Sequence, residues 1–186
     1  MRLQPPERED LDPEQQRVFD AIASGPRGGV RGPLAVWLHR ARFAGLAQAL
    51  GEYCRYHSAL EPRLSELAIL VTARIWRSEY EWYSHKPIAL AAGLSAVVVE
   101  EIRVGRRPSC ESTDEVIVHD FARELHSEHR VSDETYARAV AVLGRDKVID
   151  LVGLLGYYTL ISMTINAFEI ALPEGFAPEL GEGGDG

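Results

Sequence analysis

Three proton-handling side chains, Glu66, Glu81 and His85, lie close together in the sequence among Trp76, Tyr80, Trp82 and Tyr83. Glu81 and His85 have helical i,i+4 spacing, so on a helix they share a face within hydrogen-bonding reach. A carboxylate beside an imidazole in apolar surroundings can do general acid/base work, because partial burial and pairing move pKa values toward neutrality. The same spacing also describes an ion pair on a solvated helix face. Two carboxylates and a histidine are also a donor set for iron, manganese or zinc, but no metal is assigned to them. Ser78 and Tyr80 are candidates for hydrogen bonding a substrate oxygen, and Trp82 is a further candidate for substrate binding.

The elements that must position these groups read as helices. Asp12-Pro13-Glu14 is a strong start, with an N-cap residue, proline in the first turn and acids at the positive dipole end. That helix is expected to reach Ser24, followed by a loop, Gly25 to Pro33, too rich in Gly and Pro for regular structure. A loop of this kind covers a pocket or simply connects elements. A short turn over Leu34 to Trp37 precedes a helix from Arg40 to Tyr56, with Phe43, Leu46, Ala47, Leu50 and Cys54 at helical spacing. Glu61-Pro62 opens the next helix, whose buried side should hold Leu64, Leu67, Ala68, Leu70, Val71 and Ile75. Ser78 is placed to cap Glu79 to Ala92, with Glu81 completing a capping box and Pro87 kinking the segment. Gly93 ends it, and Ser95 starts a short helix through Arg103. Ser112 or Thr113 caps a helix to His126, Ser132 caps one to Leu143, and Arg145 to Ala171 forms the last and most apolar helix. Asn166 within it is expected to hydrogen bond in the core or at a subunit contact. No strand pattern occurs, so the fold class is all-α.

Three segments follow: residues 1–33 as N-terminal helix and loop, 34–172 as a single helical domain, and 173–186 as a disordered tail with nothing to bury. A faint internal echo, Leu67-Ala-Ile-Leu-Val against Ile149-Asp-Leu-Val-Gly, suggests two related helical-hairpin halves.

Composition narrows the function classes. With 46% hydrophobic and 26% charged residues the chain is globular, and 186 residues suffice for one substantial core. A formal charge of −8 argues against nucleic-acid binding, which needs a basic face. Arginines such as Arg40, Arg42, Arg74, Arg77, Arg106 and Arg107 are scattered among acids but can hold a small carboxylate locally. The apolar run from Val148 to Ala171 is broken by Asp150, Asn166 and Glu169, so it reads as a buried helix and no membrane span is expected. The first ten residues carry no apolar signal segment, and a cytoplasmic location is expected. Cys54 and Cys110 stand far apart and read as structural thiols. His119, His126 and His129, with Glu124 and Glu128, read as exposed side chains on a charged helix.

Leu64-Ser-Glu-Leu-Ala-Ile-Leu-Val-Thr-Ala-Arg74, then Glu79-Tyr-Glu-Trp-Tyr-Ser-His85 and Ala92-Gly-Leu-Ser95, resembles the core motif of the carboxymuconolactone decarboxylase family, which shares its fold with the alkylhydroperoxidase AhpD. The resemblance covers residues 43 to 104. It implies an AhpD-like helical bundle that assembles as a homo-oligomer. AhpD-type peroxidases carry a Glu on one helix and Cys-x-x-Cys-x-x-x-His at the start of the next. By that resemblance the Glu falls on Glu66, the His on His85, and the two cysteine positions on Ser78 and Glu81. A dithiol peroxidase needs an attacking and a resolving thiol, which serine and glutamate do not supply. The resemblance therefore implies cofactor-independent decarboxylation, or related lyase or isomerase chemistry, on a small carboxylated, lactone-like substrate. In this reading His85 moves the proton, Glu81 orients it and Glu66 relays a proton or fixes the tautomer. AhpD-like peroxidase activity and non-catalytic binding of a small molecule are the alternatives.

Overall fold

The computed structural model describes residues 1–181, and over these the chain is helical with no strand. Helix α1 (Pro13–Ser24) begins as its capping chemistry dictates. The Asp12 carboxylate accepts from the backbone of Glu14 and Gln15, and the Gln15 side chain returns to the Asp12 N–H. The Gly-rich loop leads to α2 (Pro33–Trp37), then α3 (Ala41–Glu52), whose end loosens into a π-turn over Tyr53–His57. The chain continues through α4 (Pro62–Ile75), α5 (Glu79–Ala91), α6 (Ala96–Arg103), α7 (Thr113–Glu128), α8 (Asp133–Leu143) and α9 (Arg145–Phe168).

Helix α4 is the axis of the bundle. Every residue from Leu64 to Ala73 is buried, because α5, α7 and α9 pack around it. Helix α9 runs through the core beside it and includes buried Leu151, Leu154, Leu155, Tyr157, Tyr158 and Ile161. Among the described residues α9 alone is long and apolar enough to cross a membrane, yet 61% of its apolar window is buried within the protein. The second hairpin suggested by the sequence echo is instead this one continuous helix. Asn166 is exposed on α9 and donates to the Trp76 carbonyl at 2.7 Å, holding the end of α4.

Three further expectations are corrected. Phe43, Leu46 and Leu50 of α3 face outward, and its buried face is Ala41, Ala44, Ala47, Gln48 and Gly51. The small residues turn inward because α3 lies close against its neighbours, where a large side chain has no room. Ile75, expected on the buried side of α4, is exposed at its last turn. Residues 173–181 are docked, not free. The Glu79 carboxylate accepts the backbone N–H groups of Glu179 and Leu180, both at 2.9 Å, and Leu180 is buried. Glu179 in turn accepts from Trp82 Nε1 at 3.1 Å and Lys86 Nζ at 2.6 Å. The rest of the expected tail, 182–186, lies outside the described residues.

Candidate active site

The turn Trp76–Ser78 folds α5 back onto α4, with Arg77 in the left-handed region at φ 49°. This reversal brings Glu66 from α4 against His85 from α5. His85 Nδ1 lies 2.7 Å from Glu66 Oε2, and both side chains are buried. With Glu66 a carboxylate, Nδ1 carries the hydrogen, which leaves the Nε2 lone pair free to take a proton and, once charged, to give it up. Nε2 has no hydrogen-bond partner among the described residues, and the ring lines a cavity. Its face is set by Tyr158, which meets it edge-on at 5.0 Å, and Tyr157 meets Tyr158 at 5.4 Å.

Glu81 does not pair with His85, contrary to the i,i+4 expectation. It is 2% exposed, and Ser162 of α9 donates to its Oε2. Burial pushes its carboxyl well above the usual carboxylate range; the hydroxyls of Ser162 and Ser78 oppose this, and the charge of Glu66 adds to it. Glu81 Oε1 and Ser78 Oγ are both buried without a completed hydrogen bond among the described residues. Ser78 does occupy the N-cap of α5, but its hydroxyl makes no capping bond. It is fully buried and does not line the cavity. Trp82 does not line it either, because its ring is in the core with Nε1 turned to Glu179. Tyr80 does line the cavity.

The cavity has a volume of about 580 Å³. Its inner end holds His85, Glu81 and Tyr158; Tyr80, Tyr83 and Phe176 supply aromatic walls. Arg27, Arg31 and Arg55 line it as well, and none of the three forms an ion pair with an acidic side chain among the described residues. Each is held by identifiable chemistry. Arg55 sits in the π-turn, a distortion that often marks functional sites. That turn is tied to buried Asp150, which accepts from Tyr53 Oη at 2.8 Å and the Ala59 N–H at 2.6 Å. Arg27 reaches from the Gly-rich loop to Tyr157 Oη at 3.4 Å, and its Nε is buried and unpartnered among the described residues. Arg31 is close enough to Tyr80 to counter the rise in its pKa that burial causes. The loop therefore covers a pocket. Gly32 is required there, with φ 55° and room for a Cβ only 2.6 Å from the Tyr80 ring.

A second glycine fixes the cavity wall from behind. A Cβ at Gly51 would fall 2.1 Å from Tyr157 Cζ and 2.6 Å from an Arg27 nitrogen. Gly51→Ala is therefore expected to displace the buried Tyr157 ring and the Arg27 it orients, lowering stability by about 1–3 kcal/mol, the usual cost of overpacking. A thermal melt measures it; an unchanged melting temperature would show that Tyr157 moves freely.

No thiol belongs to this site. Cys54 is buried with its thiol pKa raised by burial and by Asp150, and Cys110 is pushed up to about 11 by burial and neighbouring acids. Neither lines the cavity. No cluster of three or more His, Cys, Asp or Glu among the described residues is arranged to hold a metal ion.

The sequence reading missed Arg27, Arg31, Arg55, Tyr158 and Ser162. For the last two a signal existed: both lie in the apolar α9 run with i,i+4 spacing, so a polar stripe marks one face of a buried helix.

Residues 41–117 match the carboxymuconolactone decarboxylase family. The fold matches that of a peroxidase-related protein from Silicibacter sp. TM1040, with TM-score 0.74 and 14% identity over 96% of this chain and 95% of that one. It also matches a peroxidase-related protein from Ralstonia eutropha JMP134 described as an alkylhydroperoxidase AhpD core, with TM-score 0.74 and 14% identity over 93% and 92%. No curated protein matches the sequence.

Proposed function

We propose that this chain, which carries the carboxymuconolactone decarboxylase family pattern over residues 41–117 on an AhpD-like fold, catalyses thiol-independent acid/base chemistry on a small carboxylated substrate. The observation that carries the reading is the buried His85–Glu66 pair at the inner end of an aromatic cavity that three arginines also line. Arginine binds carboxylate in a bidentate, geometrically specific way, and here no acid competes for it.

In a decarboxylation the substrate anion is held by Arg27 and Arg55 with its ring against Tyr80 and Tyr83. The bond to the carboxylate breaks, CO2 leaves, and the electron pair passes into an adjacent carbonyl or unsaturated system. His85, which has first taken a second proton from solvent at Nε2 with the charge balanced by Glu66, then delivers that proton to carbon and returns to its Nδ1–H form, so the net change is loss of CO2 and gain of one proton. Glu66 holds the imidazole in the tautomer that presents Nε2 to the cavity. Glu81, kept neutral by burial, has a carboxyl able to donate to the developing enolate oxygen. An isomerisation uses the same parts, with the proton removed from one carbon and returned to another.

The test separates this reading from dithiol peroxidase chemistry. The Cys54→Ala/Cys110→Ala protein is assayed for CO2 release from a panel of carboxylated, unsaturated lactones. Turnover is expected to survive the substitutions and peroxide consumption to be absent with and without them. Thiol-dependent peroxide consumption, or a panel left entirely unturned, would overturn the proposal.

A further inference from the structure

A second cavity, of about 250 Å³, lies between the last turn of α4, the turn after α6 and the middle of α7. Its apolar lining includes Val71 and Ile102, both buried. Its polar lining is Arg74, Arg106, Arg107, Arg123 and His119. Four guanidinium groups around one hollow contrast with a chain whose formal charge is −8. Nothing in the proposed acid/base reaction uses them.

The neighbouring acids offset this cluster only in part, and among the described residues only Asp120 forms an ion pair with one of its arginines. Glu100 is bound by Arg103 at 2.7 and 2.8 Å. Glu101 accepts the Ser109 N–H at 2.6 Å and the Ser109 hydroxyl at 3.0 Å. Glu124 accepts the Ser132 N–H at 2.6 Å. Asp120 is divided among Arg107 at 2.8 Å, His119 Nδ1 at 3.2 Å and Arg138 at 3.6 Å. Arg74, Arg106 and Arg123 form no ion pair among the described residues. Arg74 goes further, since its Nε is buried with no hydrogen-bond partner among the described residues. A buried guanidinium donor left unmade costs free energy, which a bound acceptor would recover.

The backbone is shaped around that guanidinium. Gly105 stands at φ 76°, and a Cβ there would come within 3.0 Å of Arg74 Nη2, so the planar head lies against bare main chain. His119, expected on an exposed face, is buried at the cavity wall. Burial lowers its pKa, as do Arg107 and Arg123, while Asp120 opposes them. It therefore adds a neutral hydrogen-bonding group to a cationic rim.

A planar carboxylate is matched by one guanidinium, whereas cations converging from α4, a turn and α7 suit a tetrahedral dianion approached from several sides. We propose that this cavity binds the phosphoryl group of a small metabolite, at a site separate from His85 and independent of the catalytic reading. The volume accommodates a phosphoryl group with a short attached fragment.

Titration calorimetry at low ionic strength with inorganic phosphate, and then with glycerol phosphate, tests this on the full chain. Saturable binding is expected, tighter for the ester, and absent for acetate at this site. The exposed pair Arg106→Gln/Arg123→Gln, which leaves the core untouched, is expected to weaken phosphate binding at least about 10-fold, and Arg74→Gln to do the same. Arg55→Gln, in the other cavity, is expected to leave it unchanged. Should Arg74→Gln fail to fold, the exposed pair still decides. Absence of saturable binding overturns the proposal. So does binding that persists in Arg106→Gln/Arg123→Gln but disappears in Arg55→Gln, which would assign the anion to the other cavity.

Discussion

His85→Gln is expected to lower turnover of a carboxylated lactone roughly 10²–10⁴-fold, the usual contribution of one general acid or base. The fold should remain, because glutamine is close to histidine in length and its flexible amide can still turn its NH2 toward Glu66 Oε2, which His85 Nδ1 now holds at 2.7 Å. Glu66→Gln is expected to be damaging for a different reason. An amide in place of the carboxylate can turn either its oxygen or its NH2 toward Nδ1. When the NH2 faces the ring, the hydrogen moves to Nε2 and the imidazole presents the wrong tautomer to the cavity. The loss in Glu66→Gln should therefore fall on kcat while KM stays near its wild-type value, since the rim arginines still hold the substrate. Far-ultraviolet circular dichroism and a melt confirm folding of each variant. A folded His85→Gln protein with undiminished turnover would remove this pair from the mechanism.

The helix boundaries were legible because they rest on local chemistry. Asp12, Ser95 and Ser132 each accept a backbone N–H of the first turn, as capping residues should, and Gly93 takes φ 95° just past α5. Glu66 and His85 were legible through spacing and resemblance, and the turn at Arg77 brings them together. Their pairing was not. The i,i+4 rule places Glu81 within reach of His85, but reach does not choose between two acids, and Ser162, far along the chain, claims Glu81 first. The rim of the cavity was illegible for a related reason. Arg27 meets Tyr157 across 130 positions, and no local pattern in a Gly-rich loop announces such a contact. The face of α3 was misread because apolar periodicity marks a stripe without saying which side faces the core. Ala44 and Gly51 decide that by permitting close approach, which Phe43 and Leu46 cannot.

Glu81→Gln is expected to make the stability of the protein less sensitive to rising pH than that of the wild type. The folded state holds the Glu81 carboxyl well above its ordinary value of 4.5, chiefly through burial. Between those two pKa values the folded chain binds more protons than the unfolded chain, so stability falls as pH rises. The favourable state is fully present below about pH 4.5 and is lost as pH climbs through the folded pKa, at a limiting slope of about 1.4 kcal/mol per pH unit for one proton. Glutamine cannot ionise, yet its amide oxygen still accepts from Ser162 and its NH2 can donate to Ser78. The difference between wild type and Glu81→Gln, from urea unfolding at a series of pH values, should therefore widen steadily in favour of the variant above pH 4.5. Titrating groups that do not interact with Glu81 cancel in that difference. Glu81→Ala, which cannot ionise either, should follow the same pH trend but lie below Glu81→Gln by about 1–3 kcal/mol at every pH, because it leaves the Ser162 hydroxyl buried without its acceptor. A difference that stays flat with pH would mean that water or a bound cation reaches Glu81 and keeps it ionised, and the neutral donor assigned to the cavity would then be absent.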